Sequence, residues 1–222
     1  AASDVYKRQG IYSYDVIGAR DVDIATYIGA GIIQPIDKLI NSPQLPVPGC
    51  DINDYPKAAL DSMCRWFGKL WGLPFTMAVS GLAYRKDWFE EAGMTPPTTW
   101  DELLDAAKYF TKNGRYGITF RAQRGHHAAY AWYTTTLMPF GGRQFDYDTM
   151  VPLYNNARNL ESLKAFLQLS RYAPPGIITY THEEAISTYN MGKSAMISEH
   201  GSLFPWIERP DSKAAGKTGY IN

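Results

Sequence analysis

The sequence predicts an α/β fold, and three observations carry that prediction. Strand-like and helix-like stretches alternate from Ile11 onwards, the helical ones about 8–15 residues long. Two stretches spell a capping box, Thr99-Trp100-Asp101-Glu102 and Thr181-His182-Glu183-Glu184, in which a threonine hydroxyl accepts from an orphan amide and the glutamate reaches back. Glycines stand where the helical patterns run out. Apolar residues make up 45% of the 222, enough for a sizeable core in one large domain or two small ones.

The elements can be placed in chain order. Residues 1–10 share no periodicity with the rest of the chain and read as a non-native or disordered tail. Tyr14 to Gly18 reads as a short strand, residues 21–30 as a helix with Gly31 in a left-handed cap, and Ser42 to Gly49 as a loop rich in Pro and Gly. Asn53 is the predicted N-cap of a helix over about 54–67, with Pro56 in its first turn and Gly68 beyond its end. A strand over Val79 to Tyr84 leads to a short helix from Asp87 to Ala92, closed by Gly93. The first capping box opens a helix to about residue 112, and a strand spans Tyr116 to Arg121. A helix from about His127 to Met138 stops at Gly141-Gly142. Leu160, Leu163, Phe166, Leu167 and Ser170 mark one face of another helix. The second capping box opens a helix that Gly192 closes, before a strand over Ser194 to Ser198.

Composition narrows function. Lys and Arg total 22 against 22 Asp and Glu, so no global basic field attracts nucleic acid or anionic lipid. No apolar run approaches the roughly 20 residues of a membrane helix. Cys50 and Cys64 suit two buried thiols or one bridge, not a zinc set. The 31 aromatics (6 Trp, 16 Tyr, 9 Phe) leave some available for a binding surface.

Catalytic look-alikes fail on spacing. Gly192-Lys193-Ser194 has Ser187 where a phosphate loop needs glycine, and Gly29-Ala30-Gly31 has Gln34 where a dinucleotide fingerprint needs its third. His182-Glu183 meets Ile186 instead of a second histidine. Glu90/Glu91 and Glu183/Glu184 are helix neighbours about 100° apart, and read as solvated faces rather than a glycosidase pair. Adjacent His126 and His127 cannot share a metal from one helix; they fit a helix entry that hydrogen-bonds a ligand, or plain packing. Catalytic residues, metal and cofactors are therefore all expected to be absent.

Longer strings point to a family. Gly68-Lys-Leu-Trp-Gly-Leu-Pro-Phe75, Leu82-Ala-Tyr-Arg-Lys-Asp-Trp-Phe-Glu-Glu-Ala-Gly93 and Pro96-Pro-Thr-Thr-Trp-Asp-Glu-Leu-Leu104 resemble the extracellular solute-binding proteins of carbohydrate ABC importers, the family that includes the maltose-binding protein. Tyr14–Gly18, Ala30–Asp37, Phe140–Gly142, Met191–Met196 and Gly216–Tyr220 resemble further family segments in the same order. Arg124-Gly125, Ala173–Ile177 and Thr179–Ala185 look most like the polyol- and small-sugar-binding branch.

The resemblance implies a two-lobe periplasmic-binding-protein-like fold (type II), here truncated at both ends. Residues 11–77 would be part of lobe one, 78–84 the crossover hinge, and 85–222 most of lobe two. It implies a non-enzymatic monomer, periplasmic or extracellular, with or without a lipid anchor. Such a protein captures a sugar or sugar alcohol between its lobes and delivers it to an ABC permease. The alternatives are a glycoside hydrolase, or a same-fold binder of a peptide or polyamine.

A sugar offers apolar C–H faces and a ring of hydroxyls, so its site needs flat aromatic surfaces and a few placed donors and acceptors. By position in the resemblance, Trp132 and Tyr130 would stack on ligand. Arg124 would donate a fork to vicinal hydroxyls. Glu199, just past the last predicted strand, would accept from them, and Phe204 and Trp206 would follow in the next loop. Phe75 and Thr76 would contribute from lobe one. Polyol-binding relatives tend to carry an acid just after the Leu-Pro-Phe segment, where this chain has Thr76-Met77-Ala78-Val79.

Overall fold

The computed structural model describes residues 14–40, 42, 51–75, 79–146, 149 and 151–221. The chain divides into two compact units, residues 1–77 and 78–222. The predicted tail, most of the Ser42 to Gly49 loop, Cys50 and Thr76 lie outside the described residues.

The first unit contains helices α1 (Asp21–Gly29), α2 (Asp37–Ile40) and α3 (Lys57–Ala59), the last continuing as a π-helical turn, Leu60–Cys64. Gly31 has φ 59°, the left-handed cap that its position after α1 predicts. Three expectations need correction. Tyr14 to Gly18 is not a strand; Val16 is 87% exposed, and no described strand runs beside it to complete a ladder. Asn53 caps nothing; Asp51 accepts from Asn53 N–H and opens a single 3-10 turn, Ile52–Asp54. Pro56 holds the preceding Tyr55 extended at ψ 136°, so the helix starts only at Lys57. It also stops at Cys64, because β1 (Arg65–Trp66) turns back onto β2 (Lys69–Leu70) through Phe67 and Gly68, both at positive φ. Leu60, the Cys64 thiol and Leu70 form this unit's small core.

The second unit is a four-stranded sheet flanked by helices. In chain order come β3 (Ser80–Arg85), α4 (Lys86–Glu91), α5 (Trp100–Phe110), β4 (Tyr116–Thr119) and α6 (His126–Trp132), the last extended by a π-helical turn, Tyr133–Leu137. Then follow α7 (Ala157–Ser170), α8 (His182–Asn190), β5 (Ser194–His200), a 3-10 turn Gly201–Trp206, and β6 (Thr218–Ile221). The spatial order is β4-β5-β3-β6; β4 runs parallel to β5, and β3 antiparallel to both β5 and β6. One sheet face packs Phe89, Ala107, Phe110, Ile118 and Met196 together, and the other packs Ala83, Ala185, Tyr189 and Ile197.

Both capping boxes form. Glu102 N–H donates to Thr99 Oγ1 at 3.3 Å, while Glu102 Oε2 accepts from Thr99 N–H at 3.1 Å. Thr99→Ala is expected to cost about 1 kcal/mol of stability in denaturant unfolding.

The inward face of α7 is not the one that the leucines mark. Asn159, Ser162, Ala165, Phe166 and Leu169 are buried, while Leu160, Leu163 and Leu167 are exposed. The Asn159 amide explains the rotation: it donates to the carbonyls of Arg143 (2.7 Å) and Leu153 (2.9 Å) and accepts from Arg143 N–H. An inward polar residue with every group satisfied outcompetes the leucine stripe. Strand β4 ends two residues earlier than expected, and β5 continues two further, through Glu199 and His200.

Candidate functional site

The parallel pair β4 and β5 ends at one edge of the second unit's sheet, and antiparallel β3 begins there. In α/β sheets this carboxyl edge is where ligands bind. Two helices also start at it. Gly125, at φ 99°, makes the turn into α6, a backbone conformation that favours glycine. The Tyr180 carbonyl accepts from Ala122 and Gln123 N–H at 2.9 and 2.8 Å, which brings the start of α8 beside that of α6.

An ion pair lies at the centre of the edge. Arg121 Nε and Nη2 donate to the two Glu199 oxygens at 2.6 and 2.5 Å, and Glu199 also accepts from His200 N–H. Glu199 is 2% exposed and Arg121 5%. Glu199, expected just past the strand as an acceptor for ligand hydroxyls, is instead a strand residue whose acceptor capacity Arg121 takes up. Arg121 also lies against the Tyr130 ring, 4.5 Å from its centroid. The Tyr130 hydroxyl is 2.8 Å from that of Ser80, and its ring meets His200 at 6.0 Å, edge to face. Burial pushes the Tyr130 phenol above its ordinary value.

Aromatic and imidazole rings continue from there. His126 lies 6.3 Å from Tyr130 and 5.4 Å from His127; His127 is 6.1 Å from His182, which is 6.1 Å from Trp206. All four histidines of the chain therefore belong to one row. Phe204 packs on Tyr220 at 4.9 Å, and with Gly201, Pro205 and Glu208 they line a shallow depression of about 360 Å³.

The remaining expected residues divide. Arg124 is exposed at the same edge. Trp132 turns elsewhere: its indole N–H donates to Ser162 Oγ on α7 at 3.1 Å, and its ring faces Tyr154. Residues two apart on a helix point about 200° from each other, so Tyr130 and Trp132 cannot serve one surface from α6. Phe75 is fully exposed in the first unit. Sequence reasoning missed Arg121, Ser80 and His200. Its available signal was an ionisable group at the end of each of two predicted strands, but only the pairing of β4 with β5 joins them.

Burial, aided by the Arg121 charge, holds the His127 imidazole below its ordinary value. At His200 burial outweighs the attraction of Glu199 and lowers the value too. The unfolded chain therefore takes up these protons first as pH falls, near pH 6.5. The stability of the second unit is expected to decline from about pH 6.5 towards 5, before carboxylates titrate. Melting curves at several pH values check this, and His200→Gln should flatten the slope.

Glu183 and Glu184 both accept from Thr181, whose hydrogen bonds hold their carboxyls below the ordinary range. A glycosidase acid needs the opposite shift. Among the described residues no group of three His, Cys, Asp or Glu could hold a metal ion.

Comparison with known proteins agrees with this architecture. The chain is 32% identical over 159 residues to a mannitol-binding protein of Pseudomonas aeruginosa, covering 69% of this chain and 36% of that one. It is 27% identical over 151 residues to a probable amino-acid ABC transporter periplasmic-binding protein of Sinorhizobium fredii, covering 66% and 35%. The chain thus spans about a third of the length of these curated relatives. A ribitol-bound ABC transporter solute-binding protein from Agrobacterium radiobacter superposes with TM-score 0.86 at 27% identity, covering 99% of this chain and 55% of that one. The type II periplasmic-binding-protein fold is thereby established. Residues 7–221 match the model of the bacterial extracellular solute-binding proteins, and the chain belongs to that family.

Proposed function

We propose that this chain captures a sugar alcohol or small sugar outside the cytoplasmic membrane, as a monomer, and delivers it unchanged to an ABC permease. The observation that carries the reading is the internal neutralisation of the edge. Arg121 and Glu199 commit their charges to each other, leaving hydroxyls, imidazoles, aromatic faces and the Arg124 fork of donors for a ligand. An uncharged polyhydroxyl compound matches that set, whereas an amino acid needs an unmatched charge of each sign, and Glu199 is already matched. The mannitol-binding relative and the ribitol-bound structure support the same ligand class.

In this reading Tyr130, Arg124, Phe204 and Trp206 touch ligand directly, with Phe75 and Thr76 contributing from the first unit. Glu199 acts through Arg121, and Trp132 fixes α6 against α7. Residues 11–77 belong to lobe one, 78–84 to the crossover and 85–222 to lobe two. Delivery follows from population shift, because ligand favours the conformation that it contacts most.

The test is titration of ribitol and mannitol with the solute analysed afterwards. Saturable binding with the solute recovered intact is expected, and Tyr130→Ala should weaken it at least about tenfold, a loss of one aromatic contact and its hydroxyl. Release of a cleaved or oxidised product would contradict the reading.

A further inference from the structure

Composition denies this chain a global basic field, yet its topology builds a local one at the sheet edge opposite the candidate site. Each of the four strands carries a cation there. Arg85 ends β3 and Lys86 opens α4 directly after it, Arg115 precedes β4, Lys193 precedes β5 and Lys217 precedes β6. Neighbouring strands lie about 4.8 Å apart, so the row spans roughly 15 Å.

Backbone contacts tie the row together: Lys86 N–H donates to the Lys217 carbonyl at 2.8 Å, and Tyr116 N–H to the Lys193 carbonyl at 2.8 Å. The Arg85 and Arg115 guanidinium groups lie 4.9 and 4.3 Å from the Trp88 ring centroid. Lys112, in the turn before Arg115, holds its ammonium 3.7 Å from the centroid of exposed Tyr109. Asp87 pairs with Arg85 at 2.6 Å and offsets one charge. Lys86, Lys112, Arg115, Lys193 and Lys217 are all exposed.

We propose that this strand-end row is a docking surface for an anionic lipid bilayer. Its exposed charges are mostly lysines, compact cations on flexible stems, laid along a strand edge. A folded protein partner is held by buried aromatic and arginine anchors, and here Trp88 is buried and Arg85 is committed to Asp87. A diffuse plane of headgroup charge needs no such anchor, and exposed Tyr109 beside Lys112 suits the headgroup level. The importer reading enters only in choosing the surface that the protein meets.

The experiment is sedimentation of the chain with vesicles of phosphatidylglycerol and phosphatidylcholine, or of phosphatidylcholine alone, at low salt and at about 0.5 M salt. Binding to the mixed vesicles is expected, lost at high salt and absent from neutral vesicles. The double variant Lys193→Glu/Lys217→Glu should bind at least about thirtyfold more weakly. A charge-matched control, Arg158→Glu/Lys164→Glu on exposed positions of α7, should bind as the parent does. Both variants are checked for parental melting; if the first melts early, Lys193→Gln/Lys217→Gln replaces it. Equal binding to neutral vesicles, equal loss in both variants, or tighter binding to poly-glutamate than to vesicles would overturn the proposal. Polyol titration of the same samples separates the two readings, since vesicle binding can fail while polyol binding persists.

Discussion

Arg121→Ala is expected to lower the stability of the second unit by about 3–5 kcal/mol, because it strands a buried charge. Removing the guanidinium leaves the Glu199 carboxylate at 2% exposure with its two charged hydrogen bonds gone. It also removes the cation under the Tyr130 ring. The pair's net contribution is smaller than the cost of breaking it, because both charges were taken out of water to form it. The double variant Arg121→Met/Glu199→Leu should therefore recover most of the lost stability while still losing the edge's polar arrangement. Urea unfolding of the three proteins checks both statements. A cost under about 1 kcal/mol for Arg121→Ala would mean that water reaches the carboxylate.

Gly117→Ala is expected to be nearly as damaging, through sterics alone. A Cβ at that position would lie 1.9 Å from the Ala107 carbonyl oxygen and 2.4 Å from its Cα. Both neighbours are backbone atoms of α5, so no rotamer change relieves the overlap and the helix must lift from the sheet. Overpacking of this kind costs about 3 kcal/mol, or a melting temperature roughly 10 °C lower for a unit of this size. Gly29→Ala, with nothing within 4 Å, is the control and should be neutral or slightly stabilising. An unchanged melting temperature for Gly117→Ala would show that α5 does not pack on β4 this closely.

What could be read from the sequence was local. The capping boxes at Thr99 and Thr181, the left-handed glycines 31, 93 and 192, and the strands around 79–85 and 194–198 depend on residues a few positions apart, and they form. The β1–β2 hairpin hid because its turn uses Phe67, a residue type that rarely takes positive φ. The phase of α7 hid because leucine periodicity outvotes Asn159 until the carbonyls of Arg143 and Leu153 are seen beside it. Arg121 and Glu199, 78 residues apart, meet only through sheet order. Tyr130 could be anticipated from the family resemblance, yet its neighbours Ser80 and His200 could not. The basic strand ends were equally invisible: cations scattered from Arg85 to Lys217 become a row only when β3, β4, β5 and β6 lie side by side.

The most direct test of the central claim is calorimetric titration of this chain with ribitol, mannitol and maltose, set against a panel of free amino acids at the same pH. The account predicts one-to-one binding of a sugar alcohol or small sugar, nearly insensitive to salt because the ligand itself carries no charge, and no heat from the amino acids. Preferential binding of an amino acid, falling steeply with salt, would contradict it, since Glu199 would then have to release Arg121 to hold the ligand's ammonium group.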